Sequence, residues 1–196
     1  MPTVFGDGSH PTTRLCAKGV DVLCRQRPGI AVLDVGTGTG ILARVARARG
    51  ASFVVGTDID PAAVAFAKAQ TELDNVSSPI GVAASLAGGR GNAVGEGASG
   101  ACIHFGDEAP DHWGARFDLV VANILEAPLH ALAPALCRAL LPGGILLISG
   151  FMWPQVPALR HTFETAGLQS DGAFSLDDWV LLRLTASQAP ATAARC

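Results

Sequence analysis

The chain has 196 residues, with 14 Lys plus Arg against 17 Asp plus Glu, a formal charge of −3. That length holds one α/β domain, and so mild an acidic balance excludes broad electrostatic capture of nucleic acid or of an anionic membrane. Apolar residues at 49% supply a core, and the absence of Tyr rules out a tyrosine acid, base or nucleophile.

Residues 1–10 are polar and glycine-rich and lack a basic start before an apolar run, so they do not read as a signal peptide. A helix opens at Pro11. Residues 30–35 (I-A-V-L-D-V) form a short apolar run closed by glycines, which reads as a buried parallel strand. Residues 41–49 follow as a helix stopped by Gly50, and 52–57 as a second strand. Asp60-Pro61 starts another helix, since Asp suits the N-cap and Pro the first turn; it extends to about residue 74. Further strands are expected at 101–105, 117–122, 145–148 and 179–184, with helices at 128–140 and 157–166. Leu141-Pro-Gly-Gly144 reads as a sharp turn. Repeated β-α-β units imply a mostly parallel sheet with helices on both faces, whose ligands sit beyond the carboxyl ends of the strands.

Two segments depart from this alternation. Residues 81–100 are rich in Gly and Ala and are expected to be a flexible surface insertion, with a lid over the site as the alternative. Residues 185–196 are expected to be a disordered tail, leaving 1–184 as the domain. The five cysteines are scattered and odd in number, which fits reduced thiols and a cytoplasmic location. No apolar stretch is long enough to span a bilayer. The histidines lack metal-ligand spacing, so no metal site is expected.

Chemistry concentrates at the expected strand ends. Asp34-Val-Gly-Thr-Gly-Thr-Gly40 follows the first strand and opens the first β-α helix. Its glycines admit a ligand close to the backbone, and the helix terminus offers N–H donors. Gly36 and Gly38 fit the dinucleotide pattern, but its third glycine comes one residue early, at Gly40. Asp58 ends the second strand, where a carboxylate takes both hydroxyls of a ribose; Ile59 follows it. Asp107 follows the third strand, in what reads as a solvated acidic loop with Glu108 and Asp111. Asn123 follows the fourth and can orient an amine or a cofactor carboxylate. Phe151 and Trp153 follow the fifth and are expected to line an apolar acceptor pocket. His10 is the one candidate base, with capping of the Pro11 helix as its other reading.

The D-V-G-T-G-T-G loop resembles the first motif of methyltransferases that use S-adenosyl-L-methionine, with another type of nucleotide-binding domain as the alternative. Phe5-Gly-Asp-Gly-Ser-His-Pro-Thr-Thr13 resembles the F-G-x-G-x-H-P-T-T segment of the PrmA family, which methylates a ribosomal stalk protein. Gly56-Thr-Asp-Ile-Asp-Pro61, Ala122-Asn-Ile-Leu125 and Pro142-Gly-Gly144 are similar to that family as well. The resemblance implies a seven-stranded methyltransferase fold, methylation of an amino nitrogen, and cofactor contacts from Thr13, Gly36, Asp58 and Asn123, with Asp107 at the place where methyltransferases of this fold often receive the adenine amino group. Family members acting on the stalk protein carry a separate N-terminal recognition domain, and they run directly into the third strand where this chain has residues 81–100. The leading expectation is therefore transfer to an amine of a small molecule or peptide. A protein acceptor is the alternative, and a non-catalytic S-adenosylmethionine- or nucleotide-binding module the third.

Overall fold

The computed structural model describes residues 8–77 and 102–188. In chain order these form α1 (Pro11–Gln26), β1 (Ala31–Val35), α2 (Ile41–Ala48), β2 (Phe53–Thr57), α3 (Pro61–Ser77), β3 (Cys102–Gly106) and β4 (Phe117–Asn123). Then come α4 (Glu126–Ala139), β5 (Leu140–Met152), a 3-10 turn (Trp153–Gln155), α5 (Val156–Thr165), β6 (Leu168–Leu176) and β7 (Trp179–Ala186).

The strands make one sheet in the order β3-β2-β1-β4-β5-β7-β6. Strands β1 to β5 run parallel, and β7 is antiparallel to both of its neighbours. Alternation along the buried strands feeds two cores. Val32, Val54, Leu119, Val121 and Leu147 pack with Cys16 and Val20 of α1, Leu42 of α2 and Val64 of α3. Leu33, Val55, Val120, Leu146 and Ile148 face the other way, onto Leu129 and Leu136 of α4 and Leu159 and Phe163 of α5. The sheet is thus the middle of three layers. Arg44 of α2 clamps Asp74 of α3 through two hydrogen bonds of 2.5 and 2.9 Å.

The chain enters at β1 and builds outward through β2 and β3, then crosses to β4 on the other side of β1. The order reverses between β1 and β4, and a crevice opens there at the carboxyl ends. Asp118 binds the two strands at their opposite ends, accepting from the Ala31 N–H at 2.9 Å.

The structure departs from sequence expectation in three places. Leu141-Pro-Gly-Gly144 falls inside the bounds of β5, but the pairing with β4 jumps from Leu140 to Ile145 and Gly143 stands at φ 73°, so the expected turn is present as a bulge that interrupts the strand. That strand then continues past residue 148 to Met152, because a bulge at Gly150 lets the pairing with β7 resume at Phe151↔Val180. β6 has no counterpart among the expected strands, since as an edge strand with a single fully buried residue it carries little apolar signal. β7 extends through Thr185 and Ala186, paired with Gln169 and Leu168, so the expected tail begins too early. The insertion expected at 81–100 and the remainder of the tail from 189 onward lie outside the described residues.

Candidate functional site

The glycine loop leaves β1 at Val35 and turns into α2 through three left-handed residues, Gly36 at φ 70°, Gly38 at φ 53° and Gly40 at φ 75°. Side chains disfavour that region, which is why the loop is glycine at alternate positions. Gly36 is also tightly enclosed: a Cβ there would stand 2.3 Å from Cγ2 of Ile124. The Gly36 and Thr37 N–H groups donate to the carbonyl of Thr57 at 2.8 and 2.9 Å, pinning the loop to the end of β2.

Asp58 stands next to that pin. One carboxylate oxygen accepts from the Gly38 N–H at 2.9 Å, the other from the Asp60 N–H at 3.0 Å. Both bonds aim a half-buried carboxylate across the mouth of the loop. Ile59, the next residue, is 97% exposed, an apolar side chain left in solvent beside Asp58. The Asp58 N–H donates to the Gly106 carbonyl at 3.1 Å, which brings exposed Asp107 alongside.

Asp34 lies beneath the loop, 1% exposed. One oxygen accepts from the Thr37 hydroxyl at 2.7 Å and the Ala43 N–H at 3.2 Å, so this carboxylate ties the two ends of the turn together. The other oxygen is buried without a partner among the described residues. Burial pushes the Asp34 carboxyl up to about 6; the Thr37 and Ala43 bonds oppose the rise, and the nearby Asp58 charge adds to it. Asp34 therefore supports the loop from below.

On the other side of the crevice, Asn123 ends β4 and donates from Nδ2 to the Thr13 hydroxyl at 3.4 Å. Thr13 is 1% exposed in the first turn of α1. His10 caps that helix: its ring Nδ1 lies 2.7 Å from the Thr12 hydroxyl and accepts from the Thr12 N–H at 3.4 Å. The capping role of His10 is thus realised. Burial pushes the Cys16 thiol well above its ordinary range, which leaves it no nucleophile's role.

The apolar pocket expected at residues 151–153 needs correction. Phe151 is 1% exposed and sits in the α4–α5 core, because the Gly150 bulge turns it inward. It has no surface to offer an acceptor. Trp153 is 50% exposed and lines a shallow groove with Val156, Pro157 and Arg160 of α5.

Asp107, Asp58, the glycine loop and Asn123 thus follow one another along the carboxyl edge in the order of their strands, β3, β2, β1 and β4. Ile124, Thr37 and Trp179, whose ring meets His10, were not among the residues singled out from sequence. Ile124 sits in the A-N-I-L segment, and only the spatial approach of β4 to β1 shows that it closes over Gly36. Among the described residues, no group of His, Cys, Asp and Glu is arranged to hold a metal ion, and no helix is long and apolar enough to cross a membrane.

Residues 3–187 match the family model described as ribosomal protein L11 methyltransferase (PrmA). The chain is 40% identical over 184 residues to the ribosomal protein L11 methyltransferase of Chloroflexus aurantiacus, a match covering 91% of this chain and 54% of that protein. It is 36% identical over 179 residues to the protein of that name from Methylobacillus flagellatus, covering 91% and 50%. This chain therefore spans about half the length of these relatives. Among solved structures it resembles the ribosomal protein L11 methylase of Lactobacillus delbrueckii subsp. bulgaricus, with a TM-score of 0.70 and 25% identity, covering 89% of this chain and 79% of that one.

Proposed function

The chain belongs to the ribosomal protein L11 methyltransferase (PrmA) family, and from that membership we propose that it methylates an amino nitrogen of a protein, using S-adenosyl-L-methionine. The observation that carries this reading is Asp58, a carboxylate steered by the Gly38 N–H to the rim of the glycine loop, at the point where the strand order reverses. A carboxylate so placed suits the paired hydroxyls of a ribose. The loop's left-handed glycines leave room for the rest of the cofactor, and the bare Ile59 side chain suits a flat apolar ring. Asp107 would receive the exocyclic amine of that ring.

When bound, S-adenosyl-L-methionine supplies a methyl on a cationic sulfur whose departure needs no proton. The protein then has to align an uncharged amine and exclude water. Asn123 would accept an N–H from the acceptor amine through its side-chain carbonyl and so direct the lone pair at the methyl. The surplus proton of the methylated amine would pass to solvent, so no side chain of the site would have to take it. Trp153 would flank the acceptor's apolar neighbourhood.

The relatives' names favour a protein acceptor over the small amine first expected. The full chain, incubated with methyl-labelled cofactor and purified ribosomal protein L11, is expected to label that protein. Label appearing only on small amines would return the acceptor to the small-molecule class. Asp58→Ala removes the carboxylate and leaves the ribose hydroxyls unpaired, so the affinity for S-adenosyl-L-methionine should fall on the order of 100-fold by calorimetry. Wild-type affinity in that variant would refute the assigned role.

A further inference from the structure

The alignment of Asn123 poses a problem that β4 alone does not solve. A side-chain amide presents an oxygen and an NH2 group of nearly equal shape, and only the oxygen accepts an acceptor amine's N–H. The productive orientation requires a partner that engages the NH2 group and does not move. Thr13 is that partner, through the 3.4 Å bond from Nδ2.

Thr13 lies in the first turn of α1, where a helix frays most readily unless its end is capped. His10 supplies the cap with its ring rather than with a short Ser or Asp side chain. Its carbonyl also accepts from the Arg14 N–H at 3.1 Å. A ring brings something a short cap does not, namely a face and an edge for packing. The imidazole stands edge-on to the indole of Trp179, with centroids 4.9 Å apart and planes at 67°. Trp179 opens β7, opposite Met152 and Leu176, directly after a tight turn with Asp177 at φ 53°. The indole therefore rides on a rigid hairpin at the same edge of the sheet.

We propose that Trp179 and His10 act together as a brace for Asn123: the indole holds the imidazole, the imidazole holds the first turn of α1, and Thr13 in that turn holds the Asn123 amide with its carbonyl oxygen left for the acceptor. Both are positioning residues in this arrangement, and His10 takes no proton from the acceptor. The inference rests on the methyltransferase reading for its catalytic consequence but not for its structural one.

The test uses the full chain labelled with 15N. The side-chain NH2 pair of Asn123 is identified by its loss from the spectrum of Asn123→Ala. Trp179→Leu is expected to shift that pair and to lower kcat on ribosomal protein L11 by about 10-fold, in line with a small misalignment of reacting groups. Its affinity for S-adenosyl-L-methionine should stay within about two-fold of wild type, and the shape of its pH–rate profile should not change. Trp179→Phe keeps an aromatic against the imidazole and should restore most of the rate. His10→Asn keeps a good cap but loses the ring, so it should behave like Trp179→Leu. If Trp179→Leu fails to fold, as a collapsed spectrum would show, His10→Asn carries the same test. An Asn123 pair unmoved in the folded variants overturns the brace. So does a His10→Asn enzyme that loses the acidic limb of its pH profile while Trp179→Leu retains full rate, since that marks His10 as a base. A wild-type chain that binds no cofactor and labels nothing defeats the methyltransferase reading, while the resonance shift still decides the brace.

Discussion

Asp34 is buried beneath the glycine loop, with one oxygen unpartnered among the described residues and the Asp58 charge nearby. Its carboxyl titrates near 6, above the roughly 3.9 of an exposed aspartate. The proton is held more tightly in the folded chain, so this group's stabilising contribution is complete below about pH 4 and is lost as pH rises through 6. Asp34→Asn removes the ionisation while its amide oxygen can still accept from Thr37 and Ala43. From pH 5 to pH 7.5 the stability gap should therefore move in favour of the variant by about 1 kcal/mol, read from urea unfolding of the cofactor-free protein. A gap independent of pH would place the titration elsewhere. The places of Asp34, Gly36, Gly38, Gly40 and Asp58 at the ends of their strands were legible in the sequence, since each is set by a motif only a few residues long. Phe151 was misread for a physical reason. Whether a residue beyond residue 148 faces the core or the solvent depends on one bulge at Gly150, and no periodicity in the sequence announces it.

The elements meet most tightly where the glycine loop passes Ile124. A methyl group on Gly36 would have to occupy the place of Cγ2 of Ile124, which branches at Cβ and cannot swing away. Gly36→Ala should therefore lose cofactor binding and destabilise the chain, through both the contact and the left-handed backbone at φ 70°. Ile124→Leu moves the branch one carbon outward. The double variant should recover part of the lost melting temperature, leaving a conformational penalty of about 1–2 kcal/mol. Strict additivity of the two changes would show that the contact is not what matters. The parallel strands were readable from their continuous apolar runs, and α2 and α3 from their Gly and Asp-Pro boundaries. β6 was not, because an exposed edge strand owes its existence to its partner: Phe174 lies opposite Leu181 in β7 yet is itself 54% exposed.

At the scale of the molecule, seven strands in one sheet put every proposed cofactor contact on one edge and leave the other edge to hold the strands together, as the Ala31–Asp118 bond does. The mostly parallel sheet of the sequence reading is what forms, with β7 as its antiparallel member. The crevice itself was not legible, because it exists only between strands that are far apart in the chain. The Ala31–Asp118 bond spans 87 residues, and Val35 meets Ala122 at the mouth. This separation bears on the order in which the protein is made. The whole glycine motif and Asp58 leave the ribosome well before β4, yet the crevice is closed by Asn123, the last residue of β4, and by Ile124, which follows it. A nascent chain ending at residue 112 would hold β1, β2, β3 and the full motif but only one wall of the site. Such a fragment should show no saturable uptake of S-adenosyl-L-methionine by equilibrium dialysis, and supplying the remainder, 113–196, in trans should restore it. Cofactor binding would then report on long-range pairing, since only a chain in which β4 has joined β1 has both walls of the crevice.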